Sequence, residues 1–226
     1  MTAGPSRSLR VVLVDDEELV RVALRVVLER EADMTVVAEA HDAASALVAV
    51  ERHRPDVVLL DVRMPGRDGI DVARHLATRP DPPGVLMLTT FDCGDSVLSA
   101  MKAGAHGFVL KDTPPARIAE AVRVVAEGGP VLSPAAAARV IAAATAPGSR
   151  HSRASAGLAA RERLSHLTAR EGETARGIAE GLDNSEIAAR MGVGVATIKA
   201  HIGSIFSKLG VPNRVRLALL VRDAEE

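Results

Sequence analysis

Asp15, Asp16 and Asp61 are carboxylates, Thr89 is a hydroxyl and Lys111 an ammonium, and each stands at the end of a short apolar run. If those runs are parallel strands, their carboxyl ends meet at one edge, where open α/β sheets bind ligands. Clustered carboxylates repel one another, and their pKa values rise unless a cation relieves them. Mg2+ suits such a cluster. It takes oxygen ligands at ~2.0–2.1 Å, keeps several waters and often sits beside a phosphoryl group. Lys111 and Thr89 would then donate to phosphoryl oxygens. The chemistry that fits is phosphorylation of a carboxylate, with Asp61 as nucleophile and the metal offsetting the build-up of charge. No glycine-rich turn follows the first run, where the sequence reads VVLVDDEE. That argues against a dinucleotide fold or a P-loop.

The elements that must position these groups are legible in the pattern. The runs Val11–Val14, Val36–Ala38, Val57–Leu60, Val85–Leu88 and Phe108–Leu110 are aliphatic and apolar on both faces, as buried parallel strands are. Helical spacing lies between them. Val20, Ala23, Leu24, Val27 and Leu28 form one stripe, Ala43, Ala46, Leu47 and Val50 a second, and Ile118, Ala121, Val122 and Val125 a third. Thr113-Pro114 reads as an N-cap and first helical residue, and Gly128-Gly129 as the stop. Five strand–helix units predict a doubly wound, five-stranded parallel sheet of the flavodoxin-like α/β class.

Beyond residue 130 the pattern changes. Ser133-Pro134 can open a short Ala-rich helix to about Ala146, and PGSRHSRASAG then reads as a flexible linker. From residue 161 only helical periodicity remains. Thr168-Ala-Arg-Glu171 and Asp183-Asn-Ser-Glu186 are capping boxes. Ile198, Ile202, Ile205 and Leu209 stripe a longer helix that Gly210 ends, and another helix follows Pro212-Asn213. A short helix, a tight turn and a longer helix form a helix-turn-helix pattern. The division is therefore 8–129, a linker with a short helix over 130–160, and an all-α unit over 161–224.

Composition narrows the classes. Residues 1–130 hold 15 Lys+Arg against 20 Asp+Glu, and residues 131–226 hold 13 against 9, so a basic unit that could face a polyanion follows an acidic one. Three Phe with no Tyr or Trp argue against single-strand nucleic-acid binding by aromatic stacking. The single cysteine, Cys93, permits no intrachain disulfide. No apolar run approaches the ~18 residues that span a bilayer, and the N-terminus lacks a signal-type stretch. No membrane association and a cytoplasmic location are expected.

The pieces VVLVDDEE, DVVLLDVRMPGRDG, VLMLTTFD and KAGAHGFVLKD resemble the receiver domain of two-component response regulators. The resemblance implies Asp61 as acceptor of phosphate from a sensor histidine kinase. It implies Mg2+ held by Asp15 or Asp16, Asp61 and the backbone carbonyl of Arg63. Thr89 and Lys111 would read the phosphoryl group, and Phe108 would be the switch aromatic. The protein would phosphorylate and slowly dephosphorylate itself, and would not be an enzyme toward other substrates.

The pieces LTARE, AEGLDNSEIAARM, ATIKAHIGSIFSKLGV and Asn213-Arg214 resemble the LuxR-type DNA-binding domain of NarL/FixJ-type regulators, a four-helix unit whose third helix enters the major groove. With the Ile/Leu stripe inward, Lys199, Ala200 and Gly203 lie on or near the outer face. Lys199 is a phosphate or guanine contact, Thr197 could bond a phosphate, and Lys208 and Arg214 are expected at phosphates. Ala175 and Gly177 replace the larger aliphatics usual in the family, and Gly194 replaces a capping Ser. Those departures predict a less stable domain, and Ala200 with Gly203 predict modest base readout. The whole reads as a transcriptional regulator of double-stranded DNA that forms a homodimer on phosphorylation. The rival readings are a phosphate-independent DNA binder, a phosphotransferase or phosphatase with a helical tail, and an interaction module with a degenerate helix-turn-helix.

Overall fold

The computed structural model describes residues 8–64, 68–89, 94–132 and 150–225. The first unit runs β1 (Leu9–Val14), α1 (Glu18–Glu29), β2 (Met34–Ala40), α2 (Ala43–His53), β3 (Val57–Asp61), α3 (Gly69–Ala77), β4 (Gly84–Thr89), α4 (Gly94–Ala103), β5 (Gly107–Leu110) and α5 (Pro115–Ala126). The strands form one parallel sheet in the order β2-β1-β3-β4-β5. Strand alternation divides the core between two faces. Val12, Val14, Val58, Leu60 and Met87 meet α2, α3 and α4 on one side. Val11, Leu13, Val57, Leu59, Leu86 and Leu88 meet α1 and α5 on the other. Chain order reverses between β1 and β3, so the switch-point crevice opens where Asp15 leaves β1 and Asp61 ends β3.

One predicted boundary shifts. Thr113 does not cap α5: Pro114 occupies the cap position with φ -53° and ψ 138°, and no side chain caps the helix. Pro115 is the cause, because a proline disfavours the helical region for the residue before it.

The second unit comprises α6 (Arg150–Leu164), α7 (Ala169–Ala179), α8 (Asn184–Met191), α9 (Val195–Leu209) and α10 (Arg214–Glu225). The predicted Ala-rich helix over 133–146 lies outside the described residues. The flexible linker predicted over 147–157 is corrected from Arg150 onward, where the chain is helical. Tertiary packing overrides the Ser/Gly-rich composition there. Gly157 lets α6 approach α10 so closely that a Cβ would lie 3.0 Å from the Asp223 carbonyl oxygen. Arg161 donates to the Ala224 carbonyl at 2.6 Å and Arg163 to the Leu209 carbonyl, satisfying the ends of α10 and α9.

Both capping boxes form as read. Gly192 and Gly210 end α8 and α9 in the left-handed region, which glycine enters without Cβ strain. Ile198, Ile202, Ile205 and Leu209 are buried. Gly177 is a close-approach site: a Cβ there would lie 2.9 Å from Ile187 Cγ1. Ile187 therefore fills the inner part of the room a larger side chain would take. Outside it, a cleft of about 260 Å³ opens between Gly177, Arg176 and Met191. Among the described residues, no helix is long and apolar enough to cross a membrane.

Candidate functional site

The strand ends bring the three carboxylates and the Lys111 ammonium together, with Thr89 ending the adjacent strand β4. Asp15 is fully buried, Asp61 and Thr89 are buried, and Asp16 is exposed at the rim. One carboxylate oxygen from each of Asp15, Asp16 and Asp61 lies within 4.8 Å of the other two. The Lys111 ammonium spans the pocket, 2.8 Å from Asp15 Oδ2, 3.2 Å from Asp61 Oδ2 and 3.4 Å from Glu17 Oε1. The Lys111 amide donates to the Thr89 carbonyl at 2.7 Å, so the hydroxyl-bearing and ammonium-bearing strand ends are tied together. Arg63 is exposed, two residues past Asp61, and its backbone donates to the Asp61 carboxylate. Phe108 is buried in β5, in the cluster that covers the α3–α4 face.

The electrostatics follow from this crowding. Burial pushes the Asp61 carboxyl above the ordinary range; Lys111 opposes the rise and Asp15 adds to it. Burial alone would lower Lys111, but Asp15 and Asp61 outweigh it and leave the ammonium held above its usual value. Asp15 Oδ1 accepts from the Glu17 amide at 2.9 Å, and buried Asp15 Oδ2 faces the Lys111 ammonium at 2.8 Å. A buried carboxylate oxygen among three convergent oxygen donors fits a hard divalent cation. The donor set contains no sulfur or imidazole, which sets it apart from zinc sites.

Two participants escaped sequence reading. Gly69 lets α3 start against the nucleophile's own backbone: a Cβ would lie 1.9 Å from the Asp61 carbonyl oxygen. The DG of MPGRDG was the available signal. Glu17 gives Lys111 a third carboxylate at the lip, and its pairing 94 residues away left no local signature.

In the second unit, Thr197, Lys199, Ala200 and Gly203 lie exposed along α9. Lys199 Nζ reaches the Ala126 carbonyl of the first unit at 3.4 Å. Lys208 and Arg214 are engaged within the fold. Lys208 lies 2.7 Å from Glu171 Oε2, and buried Arg214 donates to Asn184 Oδ1 at 2.9 Å and to the Leu182 carbonyl. Buried Glu171 also accepts from Ser204 Oγ at 2.6 Å and from the Thr168 amide at 2.8 Å. Lys208 and Ser204 hold its carboxyl down at about 2. The capping box thus orients α9 as well as starting α7, a role its local motif did not announce.

Known proteins match the chain in these two parts. Residues 11–123 match the response regulator receiver domain, and residues 165–221 match the bacterial regulatory proteins of the luxR family. The transcriptional regulatory protein LiaR of Bacillus subtilis is 36% identical over 213 residues, covering 93% of this chain and 95% of the relative. The nitrate/nitrite response regulator NarP of Escherichia coli is 35% identical over 212 residues, covering 93% of each chain. Among solved structures, the response regulator ChrA of a heme-sensing two-component system is 37% identical and superposes with a TM-score of 0.51 over 96% of this chain and 98% of its own. By these matches and this fold, the chain belongs to the response regulators that join a receiver domain to a LuxR-type helix-turn-helix domain.

Proposed function

We propose that the chain is a transcriptional regulator whose DNA binding is controlled by phosphorylation of Asp61. The observation that carries this reading is the Lys111 ammonium shared between Asp15 and Asp61, at the switch point of the sheet. An Asp61 carboxylate oxygen attacks the donor's phosphorus. The O–P bond forms as the N–P bond to a sensor kinase's phosphohistidine breaks, and the imidazole leaves. Lys111 then turns from the carboxylates to a phosphoryl oxygen, and the Thr89 hydroxyl donates to another. Asp15, Asp16, Asp61 and the Arg63 carbonyl would hold Mg2+, which supplies charge neutralisation at the transferring group.

The new acceptor oxygens favour the conformer in which Thr89 moves inward and Phe108 follows, and the shift can be no larger than their differential interaction energy. Homodimers then present paired α9 helices to half-sites on double-stranded DNA, with Lys199 and Thr197 toward the backbone or base edges and Ala200 and Gly203 against the groove. Turnover is confined to the protein's own aspartyl phosphate, and the setting is cytoplasmic. LiaR and NarP are transcriptional and response regulators by name, which supports the same reading here.

Incubation with Mg2+ and a small phosphoryl donor tests the acceptor. Mass spectrometry is expected to show one hydroxylamine-labile phosphoryl group on the wild type and none on Asp61→Asn. Equal labelling of both chains would move the acceptor elsewhere.

A further inference from the structure

The cleft between α7 and α8, about 260 Å³ in volume, opens where Gly177 brings no side chain. Gly177, Ile187 and Met191 form its apolar floor. That floor is fixed by packing. Ile187 is buried, and Met191 Sδ lies 3.5 Å from the hydroxyl oxygen of Thr174, which is itself fully buried.

The rim is cationic. Arg170, Arg176 and Arg190 line it beside a single carboxylate, Glu173. Two of the three guanidiniums are already matched: Arg170 lies 3.0 Å from Glu173 Oε2, and Arg190 lies 2.5 Å from Glu180 Oε2. Among the described residues, the Arg176 guanidinium forms no ion pair or hydrogen bond. Glu180, one turn further along α7, acts on it only at longer range, because its carboxylate is turned to Arg190. Arg176 Nη1 lies back along α7, 3.7 Å from where a Gly172 Cβ would stand, so that glycine leaves one side of the guanidinium uncovered.

An unmatched guanidinium beside an apolar floor is complementary to a carboxylate carried on an apolar body. The carboxylate takes the two-pronged donor fork, and the body covers the floor. At about 260 Å³ the cleft is smaller than the ~300–1,000 Å³ of pockets for drug-sized molecules, so the body is small. A phosphate of a nucleic-acid backbone would satisfy the arginine and leave the floor exposed to water.

We infer that the α7–α8 cleft binds a small organic carboxylate, with Arg176 as the anion contact and Gly177, Ile187 and Met191 as the apolar seat. The site shares no residue with the Asp61 pocket. It gives the helix-turn-helix unit a ligand of its own, independent of phosphorylation.

The test uses the full chain, with benzoate as the probe and benzyl alcohol as its uncharged counterpart. Calorimetry at matched ionic strength reads the affinity, and thermal melts check the fold. Wild type is expected to bind benzoate saturably and benzyl alcohol far more weakly. Arg176→Gln removes the charge from an exposed side chain, so it should melt like wild type. It should bind benzoate about tenfold more weakly, the loss of one charge-assisted pair. Arg176→Lys restores the charge without the fork and should recover part of the affinity. Arg176→Gln that binds benzoate like wild type would overturn the site. Benzyl alcohol bound as tightly as benzoate would overturn the anion contact. No saturation of wild type up to the solubility limit of benzoate would overturn the ligand class. A smaller salt slope of DNA binding in Arg176→Gln, with no benzoate binding by wild type, would overturn it too and assign the arginine to the DNA backbone.

Discussion

At the scale of single residues, the pocket is a balance of charges around one ammonium. Lys111 offsets the charge of Asp15 and Asp61. Lys111→Met should therefore raise Mg2+ affinity, measured by calorimetry, because the competing cation is gone. It should also abolish the phosphorylation-dependent change in DNA affinity. Unchanged Mg2+ affinity would show that the lysine does not share the carboxylates. Gly69→Ala should destabilise the first unit by about 1–3 kcal/mol in denaturant unfolding, since its Cβ meets backbone rather than a flexible side chain.

His106 is buried at the other end of the sheet, where its Nδ1 accepts from the Val85 amide at 3.2 Å, and burial lowers its pKa to about 4. The folded receiver thus holds a neutral imidazole that the unfolded chain protonates from about pH 6.5 downward. Its contribution is present above pH 6.5 and is lost as pH falls toward 4, a change on the order of 3 kcal/mol. Thermal melts across that window should show the decline in wild type and a flatter profile in His106→Leu.

At the scale of elements, Glu171 links α7 to α9. Its carboxyl is held down at about 2, so its stabilising effect is present above pH 4.5 and is lost as pH falls from 4.5 toward 2. The helical unit should resist acid further than the receiver does. Lys208→Met should lower the melting temperature of that unit yet leave the salt dependence of DNA binding unchanged, because its ammonium serves Glu171. Lys199→Ala should reduce the log–log salt slope by about 0.9. A comparable loss of slope in Lys208→Met would assign it a phosphate contact as well.

The elements themselves were largely legible. Apolar runs bounded by Asp15, Asp61, Thr89 and Lys111 became the strands, because a parallel sheet buried on both faces leaves little else for them to be. The Thr168 and Asp183 boxes marked helix starts because capping is local chemistry. What escaped reading was set by distant partners. The helix from Arg150 packs against α10, where Gly157 allows close approach to Asp223 and Arg161 donates to the Ala224 carbonyl, and the Asn213 amide is satisfied by carbonyls more than 100 residues away. Gly177 reads as a deficit in isolation, and its complement, Ile187, comes from another helix.

At the scale of the molecule, two separately packed units share one sequence, and control requires that the state of Asp61 reach α9. The β5–α4 region lies between them, with Phe108 and Val215 in one apolar cluster. The central claim is tested most directly by DNA affinity across a salt series with Mg2+, with and without a small phosphoryl donor, for wild type and Asp61→Asn. The account predicts that the donor tightens wild-type binding at every salt concentration and leaves Asp61→Asn unchanged. Equal binding by both chains in every condition would contradict it.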